Sequence, residues 1–350
     1  MKFAVGIPTY FEADNIAFLV RKIDEAAKGL KQDILIINSD NESTDSTQLI
    51  FQNTLTKSPK IALNAPKKGK GNNVRRILDY VDANKIDYCL LIDGDIVSFD
   101  DNWLSEHMMS AMAGHDLVVP RYSRNYVEGN TTNHFAYPVL AALTGGISPR
   151  QPIAGDFGIS RKYASYLVSY DWPKPANGYG IDIFLTMTAL FRGFSVKEIE
   201  LKQKIHKPSF DKFTSMFTEI AETYYYLRQT LDIDTNIIFS KSKNGDALLD
   251  CPAIPLSRIN ALATQASSTL KKNTGGSLKS ISAKEWAQII AKHEALVGVL
   301  SPKQIAESIT PYMLIRACTY LKSVKDPSSA MREIDLQANL IAKALIRVYE

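Results

Sequence analysis

The stretch CLLIDGDIVSF sets two carboxylates, Asp93 and Asp95, on either side of Gly94 and directly after an apolar run. In an extended strand, residues two apart point to one face, so the pair is expected to address a single ligand. Gly94 permits a close approach there, with no side chain in the way. Neighbouring carboxylates repel one another and are costly to keep ionised in a partly dry site. A hard divalent cation relieves that conflict, and the oxygens of a bound diphosphate would complete its shell. A solvated turn after a strand draws on the same residue types, so the pair alone leaves both readings open.

Two further features carry chemistry. In EIELKQKIHKP, strand alternation puts Ile199, Leu201, Gln203 and Ile205 on one face and Glu200, Lys202, Lys204 and His206 on the other. His206, at the strand end, is therefore either a surface histidine beside lysines or an imidazole available to a metal held by the acid pair. The basic stretch PKKGKGNNVRR places Lys70 between two glycines just ahead of a helix, whose first amides suit an anion. It does not match the phosphate loop ending in Gly-Lys-Ser/Thr, so ATP binding is not indicated. Lys67 and Lys68 read as ordinary solvated lysines.

These groups need elements to hold them. KFAVGI, DILIIN, KIALN and DYCLLIDGD are compact apolar runs, and helical stretches such as NIAFLVRKIDEAAKGL alternate with them. Continuous apolar strands each followed by a helix argue for an α/β fold whose mostly parallel sheet is covered on both faces. Ligands then bind beyond the carboxyl ends of the strands, where PTYFEADN, NSDNESTDS and DGDIVSFDD all fall. A less regular region runs from Asn125 to about Trp172, with a helix expected in TTNHFAYPVLAALTGG and a glycine-bearing turn in QPIAGDFGISRKYASYLVS. VKEIELKQKIHKP reads as a strand halted by Pro208. Beyond it the chain is mostly helical, with loops at SKSKNGDALLDCPAIPLSR and KKNTGGSLKS. Residues 1–210 are expected to form the α/β domain, split into halves at 1–124 and 125–210, and residues 211–350 a helical subdomain. The aromatic residues of FTSMFTEIAETYYYLRQT fit helix packing, an acceptor wall or a dimer surface.

The bulk properties set outer bounds. The chain has 350 residues, 45% of them hydrophobic, and a formal charge of +4 from 41 basic and 37 acidic residues. That excess gives no reason to expect nucleic acid as a partner and suits an anionic small substrate equally well. Cys89, Cys251 and Cys318 are far apart and odd in number, which fits a reducing compartment. No stretch approaches the roughly 18–20 uninterrupted apolar residues that span a bilayer, and the start lacks a secretory signal. A cytoplasmic protein without a transmembrane segment is expected.

At this point the chain resembles the family 2-type glycosyltransferases of the GT-A fold, through VGIPTYFEADNI, NSDNESTDST and the Asp-x-Asp of DGD. YPVLAALTGGISPRQPIAGDFGISR, GYGIDIFLTMTAL and VKEIELKQKIHKP resemble more narrowly the glucosyl-3-phosphoglycerate and mannosylglycerate synthases. The resemblance covers residues 3–210 and implies roles. Pro8, Tyr10 and Glu12 would line the nucleotide pocket. Ser39 or Asp40 would read the base. Lys70 would lie against the base or phosphates, and Asp93 with Gly94 against the ribose or donor sugar. Asp95 and His206 would hold Mg²⁺ or Mn²⁺. Gly155 and Asp156 would lie beside the transferred sugar, Asp182 near the acceptor hydroxyl, and Gly129, Asn130, Thr132 and Tyr179 around the acceptor. Lys70, Asp95, Asp156 and Asp182 would carry the catalysis.

The chain departs from the family at two points. Asp156 and Asp182 stand where the family has glutamates. Asn130 stands where synthases acting on phosphoglycerate have an arginine, and it cannot form the bidentate, charge-assisted clamp of that residue. Arg121, Arg124 and Arg150 are the candidates to compensate. Sugar transfer stands on the resemblance; phosphoglycerate as the acceptor does not. The expected donor is UDP-glucose, with GDP-mannose the substitute, and the resemblance implies retention of configuration and is compatible with a homodimer. Rival readings are a nucleotidyltransferase, a phosphatase using the Asp-x-Asp pair, and a noncatalytic nucleotide-sugar-binding protein.

Overall fold

A computed structural model describes residues 1–207, 212–233, 248–251, 254–274 and 278–349, with only the backbone at 272–274. The halt expected at Pro208 and most of the loop SKSKNGD lie outside the described residues. The chain divides into two compact units, Met1–Tyr122 with Ala154–Phe210, and Ser123–Ile153 with Asp211–Glu350. This division differs from the one drawn on sequence, in which residues 125–153 belonged with the sheet.

In chain order the first unit opens with β1 (Phe3–Thr9), α1 (Ile16–Gly29), β2 (Ile34–Asp40), α2 (Thr47–Asn53), β3 (Lys60–Asn64), α3 (Lys70–Ala83), β4 (Tyr88–Leu91), α4 (Asp101–Met112) and β5 (Leu117–Tyr122). Within the second unit's first segment follow β6 (Arg124–Asn125), a π-helical turn (Thr132–Ala136) and α5 (Tyr137–Leu143). The first unit resumes with β7 (Gly158–Ser160), α6 (Arg161–Ser169), α7 (Ile181–Phe191) and β8 (Val196–Leu201). The second unit ends with α8 (Phe213–Thr230), β9 (Leu248–Leu249), α9 (Leu256–Thr274), α10 (Ala283–Glu294), α11 (Pro302–Ser323) and α12 (Pro327–Tyr349).

The seven strands of the sheet run in the order β3-β2-β1-β4-β7-β5-β8. β1, β2, β3 and β4 pair in parallel, as do β5 and β8, while β7 runs antiparallel to both its neighbours. The expected α/β architecture with a mostly parallel sheet and flanking helices is thus the observed one. β7 is the exception, a three-residue strand inside what read as a turn. It has a steric reason: a Cβ at Gly158 would lie 1.7 Å from the Tyr88 hydroxyl oxygen and 2.5 Å from His107 Nδ1. Only glycine lets this strand cross beside β4.

β1 is buried along its whole length, and α1 turns Ile16, Leu19, Val20, Ile23 and Ala27 inward at helical spacing. β1 lies between β2 and β4, so successive connections leave it in opposite directions. That reversal opens a crevice beyond the carboxyl ends of β1 and β4, the favoured ligand position in such sheets.

In the second unit α5 is wholly buried, and α8 buries Phe213, Phe217, Tyr224 and Tyr225. The rings of Phe217 and Tyr224 each meet Phe135 edge-on at 5.2 Å. The aromatic run of α8 is therefore a packing surface, worth about 0.5–1.5 kcal/mol per ring pair beyond the buried area. Among the described residues no helix is long and apolar enough to cross a membrane.

Candidate active site

The acid pair lies at the β1–β4 crevice, but not on a strand. β4 ends at Leu91, and Asp93–Asp95 form a turn beyond it that a bond from the Ile96 amide to the Asp93 carbonyl (3.2 Å) closes. The same-face geometry expected of a strand is thus corrected: the two carboxylates enter different surroundings. The turn is held from β1 and α1. Asn15 donates from Nδ2 to the carbonyls of Gly94 (2.8 Å) and Ile96 (2.9 Å). A Cβ at Gly94 would come within 2.8 Å of Thr9 Cγ2, so the glycine is needed for protein packing.

Asp93 faces inward between two lysines. Its Oδ1 is 2.8 Å from Lys70 Nζ and its Oδ2 3.2 Å from Lys204 Nζ. Burial alone would raise its pKa, but the two ammonium groups outweigh that and hold it well below the usual carboxylate range. Lys70 also pairs with Asp182 at 3.1 Å, and Lys204 with Asp156 at 2.6 Å. Burial raises Asp182 against the opposing pull of Lys70. Lys204 has a full set of acceptors, since the Ala154 carbonyl takes its third bond at 2.9 Å. Asp156 is likewise saturated: Oδ1 accepts from the Asp93 amide (2.8 Å) and Oδ2 from the Tyr122 hydroxyl (2.9 Å) and Lys204. It is wholly buried, so it fixes Asp93 rather than presenting an oxygen to solvent.

Gly155 completes the cluster. With φ at +96°, a Cβ there would fall 2.5 Å from Asp93 Oδ2, 3.0 Å from Lys204 Nζ and 3.3 Å from Lys70 Nζ. This residue leaves open the point on which the three charged groups converge.

Asp95 is different. Among the described residues no hydrogen bond or ion pair engages its carboxylate, and burial, reinforced by Asp93, raises its pKa, with Lys204 and His206 pulling the other way. His206 therefore stands within electrostatic reach of Asp95. The segment carrying it is not the continued strand expected, because β8 stops at Leu201. Residues 202–207 instead cross back to the acid turn, where the Val97 amide donates to the Ile205 carbonyl (3.0 Å) and the Ile205 amide to Ser98 Oγ (2.9 Å). His206 Nδ1 bonds the Lys207 carbonyl at 2.7 Å. A carbonyl can only accept, so Nδ1 carries a proton, and Nε2 is the nitrogen left to face a ligand.

Among the described residues no three acid, histidine or cysteine side chains gather into a metal site. Asp95 and His206 still fit one: a carboxylate with no partner among the described residues and an imidazole whose Nε2 is not used by the Lys207 carbonyl are two donors, and small divalent cations commonly take the rest from substrate phosphates and water.

Pro8, Tyr10, Glu12, Ser39 and Asp40 lie at the ends of β1 and β2 and on the loop that leaves β1, with varied surroundings. Pro8 is buried in β1, and Tyr10 is exposed with Lys68 Nζ 5.2 Å from its ring centre. Glu12 Oε2 pairs with Lys207 at 2.7 Å. Ser39 donates to Asn73 Oδ1 at 3.0 Å, and Asp40 accepts from Thr9 Oγ1 (2.8 Å) and from the amide (2.7 Å) and hydroxyl (2.9 Å) of Ser43. Both are buried in a polar network with Asn41 and Asn73 that ties the ends of β1 and β2 to the start of α3. That network positions Lys70, the first residue of α3.

The anion site expected at the α3 amides is replaced by protein. Gly71 N donates to the Gly178 carbonyl at 3.1 Å, and Cβ atoms at Gly69 and Gly71 would sit 2.3 Å and 1.8 Å from the carbonyl oxygens of Asn177 and Ala176. The two glycines admit the 176–178 backbone, with half-buried Tyr179 next in the chain. Arg121 is held by Glu198 (3.7 Å) and Glu200 on β8.

Gly129, Asn130 and Thr132 belong to the second unit, where Asn130 Nδ2 donates to the Val127 carbonyl (2.9 Å) and Thr132 is buried. Arg150, buried there too, stacks 4.5 Å from the Tyr137 ring centre and donates to Asn133 Oδ1.

Lys204 is the site residue that sequence reasoning missed. The alternation set it on the same face as His206, and that shared face was its one signal.

Comparison with known proteins bears on this geometry. The model for Glycosyl transferase family 2 matches residues 4–162. A mannosylglycerate synthase from Selaginella moellendorffii is 24% identical over 145 residues, 40% of this chain and 34% of that protein. The match thus spans about a third of the length of that curated relative. Among solved structures, glucosyl-3-phosphoglycerate synthase from Mycobacterium tuberculosis in complex with phosphoglyceric acid superposes with a TM-score of 0.53 at 22% identity, over 67% of this chain and 81% of the other. The same enzyme with Mn²⁺ and UDP-glucose gives a TM-score of 0.51 at 21% identity, over 64% and 78%. These likenesses establish a shared fold.

Proposed function

We propose that this chain is a metal-dependent glycosyltransferase of the family 2 type, moving a hexose from a nucleotide sugar to a small hydroxylated acceptor. The observation that carries the reading is the return of the 202–207 segment to the Asp93–Asp95 turn, which brings an imidazole to a carboxylate that has no hydrogen bond or ion pair among the described residues, at the sheet's switch point. UDP-glucose is the favoured donor and GDP-mannose its substitute, because the resemblance and the matched relatives point that way.

Asp95 and His206 would hold Mg²⁺ or Mn²⁺, which supplies charge neutralisation to a departing nucleoside diphosphate. Lys70 keeps one N–H beyond its bonds to Asp93 and Asp182 and stays protonated, since those acids outweigh the effect of its burial. Its Nζ borders the Gly155 opening, since a Cβ there would fall 3.3 Å from it, and there it could meet a phosphate or sugar oxygen. Asp93, locked between two ammonium groups, is an acceptor for sugar or ribose hydroxyls. Asp156 orients Asp93 through its amide. Retention is the expected course, without a named protein nucleophile. An inverting course would need a base, and Asp182, the first candidate, is already paired with Lys70.

Purified protein incubated with Mn²⁺, a panel of nucleotide sugars and both acidic and neutral acceptors should yield an intact product heavier by one hexose. Asp95→Ala and His206→Ala should each lower the rate at least ~100-fold. Transfer of a nucleotidyl group, or hexose transfer untouched by both substitutions, would overturn the reading. A hexosylated phosphoglycerate would show that Asn130 does not bar that acceptor.

A further inference from the structure

Lys207 follows the imidazole and ties its segment down at the rim. Its Nζ lies 2.7 Å from Glu12 Oε2 and 2.8 Å from Asp14 Oδ1, both on the loop that leaves β1. Its backbone carbonyl is the acceptor that fixes the His206 ring through Nδ1 at 2.7 Å. On the other side of His206, Lys204 pins the same segment deep in the site to Asp93, Asp156 and the Ala154 carbonyl. The histidine therefore hangs between a buried anchor and an exposed one. His206 is itself exposed, so no packing of its own ring holds it.

From this arrangement we propose that Lys207 is a positioning residue for the divalent cation: its clasp on Glu12 and Asp14 holds the His206 imidazole within reach of Asp95. The inference rests on the reading of Asp95 and His206 as metal ligands. It makes a prediction opposite in sign to simple electrostatics. Lys207 is a cation paired with Glu12 and Asp14, and Glu12 is within electrostatic reach of Asp95, so deleting the lysine's charge should by Coulomb's law alone strengthen cation binding. A positioning role requires that binding weaken, because the imidazole is then free to swing away and must be ordered when the ion arrives. Rim ion pairs are weak and partly screened, so the expected loss is about fivefold, or ~1 kcal/mol in all.

The experiment is direct titration of Mn²⁺ into the full-length protein, followed by the decrease of the free-ion electron paramagnetic resonance signal, with UDP present at a fixed saturating concentration. Lys207→Met should weaken Mn²⁺ binding about fivefold, Lys207→Arg should restore it, and Asp14→Asn should lose part of it without adding to the loss in Lys207→Met. Unchanged or tighter binding in Lys207→Met would overturn the proposal. His206→Ala is the reference. If it leaves Mn²⁺ affinity intact, the metal reading itself fails; if it weakens binding and Lys207→Met does not, only the clasp fails.

Discussion

Both units bury charge, and they do so differently. Around Asp93 two lysines face three aspartates, Asp93, Asp156 and Asp182, with Asp95 unpartnered beside them. In the second unit the charges are matched. Arg228 meets Glu294 at 3.3 Å and the Tyr349 hydroxyl at 2.8 Å, and that hydroxyl donates to the same carboxylate at 2.6 Å. Arg316 pairs with Glu333 at 2.7 Å and donates to Gln337, which also bonds His134. These networks are matched in charge and so require no ion, although Glu294 Oε1 and His134 Nε2 are buried without a hydrogen-bond partner among the described residues. An acid excess at a strand-end crevice is relieved either by taking up a proton or by a cation that comes to it. Burial of polar groups therefore does not mark a functional site by itself; the unbalanced remainder does.

The comparison can be broken first at Lys204. Removing one member of a buried, hydrogen-bonded ion cluster leaves its partners uncompensated, so Lys204→Met should cost about 3–5 kcal/mol in urea denaturation. Combining it with Asp156→Leu should recover stability, because the pair is then removed together, while transfer stays lost because Asp93 is no longer oriented. A double variant as unstable as the single one would show that Lys204 and Asp156 are not one unit.

The matching change in the second unit is Arg228→Met, expected to cost about 3 kcal/mol because Glu294 is buried. Its readout separates the two regions. At temperatures where the variant stays folded, transfer per molecule should be unchanged, and Mn²⁺ affinity likewise. A specific fall in either would mean that the balanced network serves the chemistry after all.

Gly155 sharpens the contrast within the first unit. Gly155→Ala adds strain of about 1–3 kcal/mol at this positive φ and drives a methyl against the Asp93 carboxylate. Transfer should fall by more than the lost stability explains, measured as kcat at a temperature well below the transition. Gly69→Ala and Gly71→Ala, by contrast, meet only backbone of residues 176–178 and should act through folding.

These glycines show what the sequence could and could not display. The strands β1 to β4 were legible because an apolar run with a turn after it is a local signal, and so was the gathering of polar loops on one rim. The glycines beside Lys70 looked like an anion loop because the backbone that fills them comes from more than 100 residues away. β7 escaped because three residues establish no period. Asp93 and Asp95 looked equivalent in sequence, and only the lysines brought by α3 and by residue 204 set them apart. His206 was open to two readings from its strand-end position, a surface histidine or a metal ligand; alternation alone made it one of four polar residues on a face, and the resemblance favoured the ligand.

The smallest effect tests whether buried groups outside the cluster are as ordinary as they look. His107 is buried, with the Tyr88 hydroxyl 3.4 Å from Nδ1, and burial pushes its pKa down to about 3 from the ordinary 6.5. Burial, with Arg316 adding to it, also pushes His134 in the second unit well down. Between about 3 and 6.5 the unfolded chain takes up a proton at His107 that the native chain refuses. Stability is therefore fully present above the unfolded value and falls as the pH drops below it, by at most ~1.4 kcal/mol per pH unit for one imidazole. His107→Gln should flatten the dependence of urea stability on pH between 6.5 and 5 by up to that slope, and leave Mn²⁺ binding alone. A slope that does not change would mean His107 is protonated in the native state, and its carrier of compensating charge would then have to be sought among the acids of the first unit.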